Sequence, residues 1–301
     1  MTQPVLVGAA SRDRTAADRR GWRLGGPAAY AGLTLARLGL RPRILLGVDG
    51  PAAEALELEW LRDAGAELRL VPLGAGPVFV NDERAGGRIQ TSEGPCDPIT
   101  VAVPDEWSDA PAWLLLPVAS ELPAHWASVP GPASFVALGW QGLLRTLPPG
   151  GIVERRSPSP SPLLSRADLV VVSRFDLAPD TDVDVLTALL APSARLVVTD
   201  GEGGGVVVDR RPAATPRLRR YPAIPPARLV DPTGAGDVFL AALVAAHLGH
   251  PLAGSGRRGT DLRFAAAVAS LAVEAPGLAG VPDPRAVAAR LRTSLGRSRD
   301  G

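Results

Sequence analysis

Lysine is missing from this chain: the 32 basic residues among its 301 are all arginine. Without lysine there is no Schiff-base chemistry, no pyridoxal-phosphate attachment, no phosphate loop ending in Gly-Lys-Ser/Thr and no protein-kinase lysine. Cysteine is nearly missing too. A lone Cys96 closes no intramolecular disulfide and builds no multi-cysteine zinc site, and His125, His247 and His250 are too scattered for a metal cluster. Charge of one sign is also lacking. A net charge of +1, from 32 basic and 31 acidic residues, sets up no general field for nucleic acid or an anionic membrane. No apolar run approaches the roughly 20 residues of a membrane span, and Met1–Gly8 is too poor in apolar residues for a signal peptide. The expectation is a cytoplasmic protein with neither nucleic acid nor membrane as partner. With 46% hydrophobic and 21% charged residues, the chain is in the ordinary globular range.

Short apolar runs alternate with longer helical patterns, the signature of parallel strands joined by crossover helices. Strands are expected at Val5–Gly8, Arg43–Gly47, Leu68–Pro72, Trp113–Leu116, Ser134–Leu138, Leu169–Val172 and Arg195–Thr199. Helices are expected at Pro27–Leu38, Ala52–Ala64, Gly234–Leu248, Asp261–Glu274 and Asp283–Arg292. Because most of the strands are continuously apolar, both faces of their sheet must be covered. The fold class is α/β with a doubly wound, mostly parallel sheet. Two stretches depart from this rhythm. Pro77–Thr91 reads as a β-hairpin with a polar face turning at Gly86-Gly87, and Ser157–Pro162 is a proline-rich surface connection.

The segment that carries chemistry is Asp231-Pro-Thr233-Gly234-Ala235-Gly236-Asp237-Val-Phe239. Small residues at a helix start let an anion approach backbone N–H groups that have no intrahelical partner, and phosphate is the natural ligand. Asp237 falls in the first turn. There a carboxylate either faces whatever those N–H groups hold or merely caps the helix.

This stretch resembles the C-terminal signature of the ribokinase-like (PfkB) carbohydrate and nucleoside kinases, Asp-Thr-x-Gly-Ala-Gly-Asp-x-Phe, with Pro232 inserted. A second match, Gly25-Gly26-Pro-Ala-Ala-Tyr30 through Gly39, resembles the family's N-terminal glycine pair and small-residue helix, about 200 residues earlier. The resemblance implies one ribokinase-like domain over 1–301, with a small β lid formed by about 10–24 and 73–98. It implies that Asp237 is the general base, that Gly234, Ala235 and Gly236 form an anion hole, and that Thr233, Thr199, Gly201 and Gly204 contact nucleotide.

Asp176, in Ser173-Arg-Phe-Asp176, stands where the family has Asn-x-x-Glu and implies a water-mediated contact to Mg2+; an N-cap role is the plainer alternative. Asp231 is similar to the position associated with a monovalent cation such as K+, against a turn-capping role. Asp13, Gly25 and Gly26 fall at the family's acceptor site, while Tyr30 replaces the usual asparagine. Arg145 either reaches a substrate oxygen or pairs with a carboxylate. Together with Pro117–Glu121 and Gln141–Arg145, Tyr30 is similar to a branch near the inositol kinases.

The activity implied is ATP- and Mg2+-dependent phosphorylation of a hydroxyl on a small sugar, polyol or nucleoside, by a monomer or homodimer. The rival reading is a binding or sensor protein of the same fold with little catalysis. A nicotinamide dehydrogenase is disfavoured, because Thr199–Gly205 is followed by a strand where a dinucleotide fingerprint needs a helix.

Overall fold

A computed structural model describes residues 3–84, 87–209, 217–254 and 259–296. Its centre is a nine-stranded sheet among the described residues, in the order Arg217–Tyr221, Gly205–Asp209, Arg195–Thr199, Leu169–Ser173, Phe135–Gly139, Ala112–Leu115, Val5–Ala9, Arg43–Val48, Glu67–Pro72. From Arg195–Thr199 to Glu67–Pro72 every neighbour is parallel, and the two strands at the other edge run antiparallel. All seven expected strands are present to within a residue at each end.

Alternation along each strand divides the core. Leu6, Ile44, Leu46 and Leu114 face the helices Pro27–Arg37, Ala235–His247 and Thr260–Ala272, where Leu33, Leu240 and Phe264 meet them. Val5, Val7, Leu45, Trp113 and Leu115 face the other way, onto a layer of short helical turns. There Trp107, Trp126 and Trp140 do the filling that long helices do elsewhere, and the Trp126 indole donates to the Ile99 carbonyl at 2.8 Å. A buried tryptophan withdraws roughly 200 Å² from water, so each contributes on the order of 5 kcal/mol before entropy is charged.

The helix expected over Ala52–Ala64 is broken into Gly50–Ala53 and Glu57–Asp63. Asp49 caps the first piece by accepting from Ala52 N. The second piece is turned so that Glu57, 5% exposed, points inward to Arg20 at 2.6 Å and to Leu24 N. An ion pair at a buried position outweighs the continuity of one helix.

That ion pair also fixes the second, smaller sheet, ordered Gly151–Ile152, Gly87–Ser92, Val78–Arg84, Ser11–Arg14, Trp22–Gly25. Its base is tied to the core by Arg20 on Glu57 and by Arg12 on Asp49 at 2.7 Å, with Trp22 under both guanidiniums. The hairpin expected from Pro77 to Thr91 forms its middle, with Asn81 opposite Gln90. Of the expected turn, Gly86 lies outside the described residues and Gly87 opens the second strand.

The connection order reverses between Val5–Ala9 and Ala112–Leu115: from the first strand the chain winds outward to one edge, then returns to wind toward the other. A crevice opens at the carboxyl ends of the strands at such a switch point, and ligands of open α/β sheets bind there. Here the small sheet leaves directly from the end of Val5–Ala9 and overhangs that crevice.

Candidate active site

Two loops at the switch point are joined by one buried carboxylate. Glu121, fully buried, accepts from Val118 N at 2.6 Å, Ala119 N at 2.8 Å and Ala9 N at 3.4 Å. Beside it lies Arg145, 8% exposed. Arg145 donates to the Val118 carbonyl and, at 3.2 Å, to Gln90 of the small sheet, and its guanidinium sits 5.0 Å from the Phe79 ring. Burial lowers its pKa, and the carboxylates of Asp176, Glu121, Asp237 and Asp13 oppose that shift. Of the two expectations for Arg145, pairing with a carboxylate is not seen among the described residues: it holds a carbonyl and an amide, within the field of four carboxylates.

Asp237 stands in the first turn of Ala235–His247. Its carboxylate caps nothing, for the helix starts at Gly234 without a side-chain cap. It is enclosed by protein yet reached by solvent, and enclosure raises its pKa to about 7; Arg145 pulls the other way and Asp176 adds to the rise. A carboxyl poised near neutrality, in a crevice, is what general-base work requires.

Gly234 has a φ of 79°, and a Cβ there would lie 2.4 Å from the Tyr30 ring. Nothing but glycine fits. Ala235 N makes a long 3.3 Å bond back to the Pro232 carbonyl, so the N–H groups left without an acceptor among the described residues are those of Gly234, Gly236 and Asp237. Of the three residues expected to form an anion hole, Gly234 and Gly236 keep N–H groups without an acceptor among the described residues, and Asp237 adds a third.

Asp231 spends both oxygens on backbone, accepting from Thr233 N at 2.9 Å and Gly277 N at 3.0 Å. It latches the glycine loop to the turn Gly277–Gly280. On the other side, Ser173 pairs with Thr199, which brings the Asp176 loop beside the turn of Gly201 and Gly204. Phe175 lies against Gly201, and both glycines have positive φ, 50° and 78°. Ser173, not Asp176, caps the short turn Arg174–Asp176. Asp176 is raised in pKa by burial and accepts from Gln141 Nε2 at 3.0 Å. Gln141 escaped the sequence reading as a site residue because only the fold brings positions 141 and 176 together.

Asp13 is on Ser11–Arg14 with Ser11 Oγ donating to it at 3.1 Å. Its neighbours Arg12 and Arg14 point away, to Asp49 and Glu93. Gly25 is crowded by side chains, and Gly26 needs to be glycine. A Cβ on the first would lie 2.4 Å from Asp13 Oδ2, and the second has φ 97° with the Ala9 carbonyl 2.6 Å from any Cβ.

No group of three His, Cys, Asp or Glu among the described residues could grip a metal directly. Asp176 suits a divalent cation held through water, since such a charge would offset the burial that raises its pKa. No helix among the described residues is long and apolar enough to cross a membrane.

Residues 157–284 match the model of the pfkB family carbohydrate kinases. A search of curated proteins finds no match. Among solved structures the chain resembles a pyrophosphate-dependent kinase in the ribokinase family complexed with a pyrophosphate analogue and myo-inositol, at 19% identity and a TM-score of 0.71 over 91% of this chain and 96% of that one. It is similar to Arabidopsis thaliana ribokinase complexed with ribose and ATP, at 21% identity and 0.70 over 97% and 99%. A nucleoside kinase of Methanocaldococcus jannaschii is 16% identical, with a TM-score of 0.68 over 97% and 99%. The chain is therefore a ribokinase-fold protein whose residues 157–284 match the pfkB family of carbohydrate kinases.

Proposed function

We propose that the protein transfers the terminal phosphoryl group of ATP to a hydroxyl of a small polyhydroxylated compound, a sugar, an inositol-like polyol or a nucleoside. The observation that carries this reading is Asp237: a carboxyl with its pKa near 7 set in the same helical turn as backbone N–H groups that have no acceptor. Asp13, Gly25, Gly26 and Arg145 form the acceptor side. Asp237 takes the hydroxyl proton while the acceptor oxygen bonds to the terminal phosphorus. The bond from that phosphorus to the bridging oxygen breaks, and ADP leaves with the electron pair. Charge on the transferring group falls to the N–H groups of Gly234, Gly236 and Asp237, where preorganised donors are worth several kcal/mol. Thr199, Gly201 and Thr233 would line the donor's phosphates. Mg2+, held through water by Asp176, would neutralise donor oxygens. The Asp231 latch orders the loop by itself, and K+ would act beside it.

The solved relatives named above differ in donor, ATP in one and a pyrophosphate analogue in another. Exposed Phe175 against Gly201, and Leu229 and Val230 just before Asp231, offer apolar surface that a nucleobase would cover and pyrophosphate would not. That favours ATP.

The test is a transfer screen of sugars, inositols and nucleosides with each donor, run on the wild type and on Asp237→Asn beside calorimetric ATP binding. Transfer should fall about 10²–10⁴-fold in the variant while ATP binding holds. Wild-type rates in Asp237→Asn would remove the base. Firm binding without turnover of any acceptor by the wild type would leave the sensor reading.

A further inference from the structure

Alternation sorts the small sheet into two faces. Asp13 lies opposite Phe79 on the neighbouring strand and Asn81 lies opposite Gln90, so these four side chains share one face. The Arg145 guanidinium is 5.0 Å from the Phe79 ring and bonded to Gln90, so that face looks into the crevice. Val80 and Asp82, the strand neighbours of Asn81, are exposed on the other side. Asn81 and Gln90 are both half-buried.

A guanidinium can only donate hydrogen bonds. Arg145 Nη1 therefore selects the oxygen of Gln90, at 3.2 Å, which leaves Gln90 Nε2 to donate to Asn81 Oδ1 at 2.9 Å. The Asn81 carboxamide has then committed its oxygen inward, and its Nδ2 has no acceptor among the described residues. A buried arginine thus dictates, two side chains away, that the relay ends in a donor. Asp13, on the same face, offers carboxylate oxygens instead. By strand rise and strand spacing the two positions are about 8 Å apart, the width of one polyol ring with its hydroxyls.

We propose that Asn81, oriented by Gln90, is a specificity-determining residue of the acceptor side: its Nδ2 donates to a hydroxyl oxygen other than the one phosphorylated, while Asp13 accepts from a hydroxyl on the far edge of the same ring. The assignment rests on the phosphotransfer reading above and deepens it, narrowing the acceptor to a ring polyol with hydroxyls on opposite edges. It gives the overhang a task that needs no charge. The polarity of one carboxamide does the reading.

The experiment uses the best ring polyol of the transfer screen and its analogues in which one hydroxyl at a time is a keto oxygen, which accepts and cannot donate. Asn81→Asp puts an oxygen where Nδ2 stands. Gln90→Glu keeps the bond to Arg145 but has no N–H for Asn81, so the Asn81 carboxamide donates inward and shows its oxygen instead. The two variants thus end the relay in an acceptor by different routes. In kcat/KM the wild type should tolerate the keto group at one non-reacting position within about threefold, and both variants should reject it there by about 30-fold. Equal loss on the parent and every analogue would make the pair a strut and overturn the proposal. Unchanged tolerance in both variants would overturn it too, as would a nucleoside that outpaces every inositol and pyranose. Should the wild type transfer to no acceptor, the phosphotransfer reading falls, and calorimetric binding of myo-inositol and its single-keto analogues decides: the same shift in tolerance sustains the assignment, and no shift, or no binding, rejects it.

Discussion

At Gly26 and again at Gly234 the chain enters a helix through positive φ, and neither start has a side-chain cap. At the first, protein fills the space. The Ala9 carbonyl, Asp13 and Ser11 crowd Gly25 and Gly26 so closely that a methyl group fits at neither. At the second, protein crowds one side only. Tyr30 occupies the space beside Gly234, whereas a Cβ on Gly236 would meet nothing within 4 Å. The first start uses glycine to let its own chain approach, and the second keeps a side open where an anion can arrive. A glycine pair in sequence does not say which of these it is; the neighbours from elsewhere in the chain do.

The contrast inside the second start can be broken hardest at Gly234. Gly234→Ala meets both a left-handed backbone and the Tyr30 ring, so transfer should vanish and the melting temperature should drop by more than about 5 °C. Gly236→Ala should leave melting within about 2 °C and still cut transfer about 100-fold, because its methyl group projects into the space the phosphoryl group needs. If both variants melt alike, the open side is not open.

Acidity sharpens the picture next. With Asp237 as the proposed base, its ionised form is lost as pH falls through about 7, so kcat should decline roughly tenfold per unit below that. Stability moves the other way. The folded pKa is above the ordinary carboxyl value, so this group's contribution is fully present below about 4 and is lost as pH rises through about 7. Asp237→Asn should therefore melt higher than the wild type at pH 8, with the gap narrowing below pH 7 and closing only near pH 4. On the donor side, Asp176→Ala should move the magnesium titration about tenfold higher without unfolding the protein. Smallest of all, Gln90→Ala removes one acceptor from Arg145 and should raise the acceptor KM a few-fold, leaving kcat nearly unchanged.

The expected strands of the large sheet were legible because most are continuous apolar runs, and the Gly234–Asp237 turn because its residue types are unusual together. The break at Ala55-Leu56 was not, since what turns Glu57 inward is Arg20, 37 residues away. Nor was the edge strand Gly151–Ile152 of the small sheet: a two-residue strand has no periodicity to read. The pKa of Asp237 and the burial of Arg145 depend on which charges the fold brings near, and no spacing records that. Asp231 shows the opposite case, a turn-capping residue visible in sequence whose second bond, to Gly277, only the fold supplies.

Tyr30 grows from the helix that begins at Gly25-Gly26, the proposed acceptor side, yet its ring rests on Gly234, and its hydroxyl lies near the Gly277 turn that Asp231 holds. The two proposed half-sites consequently share a wall. If a ligand on one side firms that wall, the other side feels it, and thermodynamic linkage makes the effect mutual: whatever factor the acceptor adds to the donor's affinity, the donor returns to the acceptor. In measured terms, the order in which the two ligands are titrated should not alter their joint binding energy, and a smaller side chain at position 30 should weaken the cooperativity between them before it weakens either affinity alone.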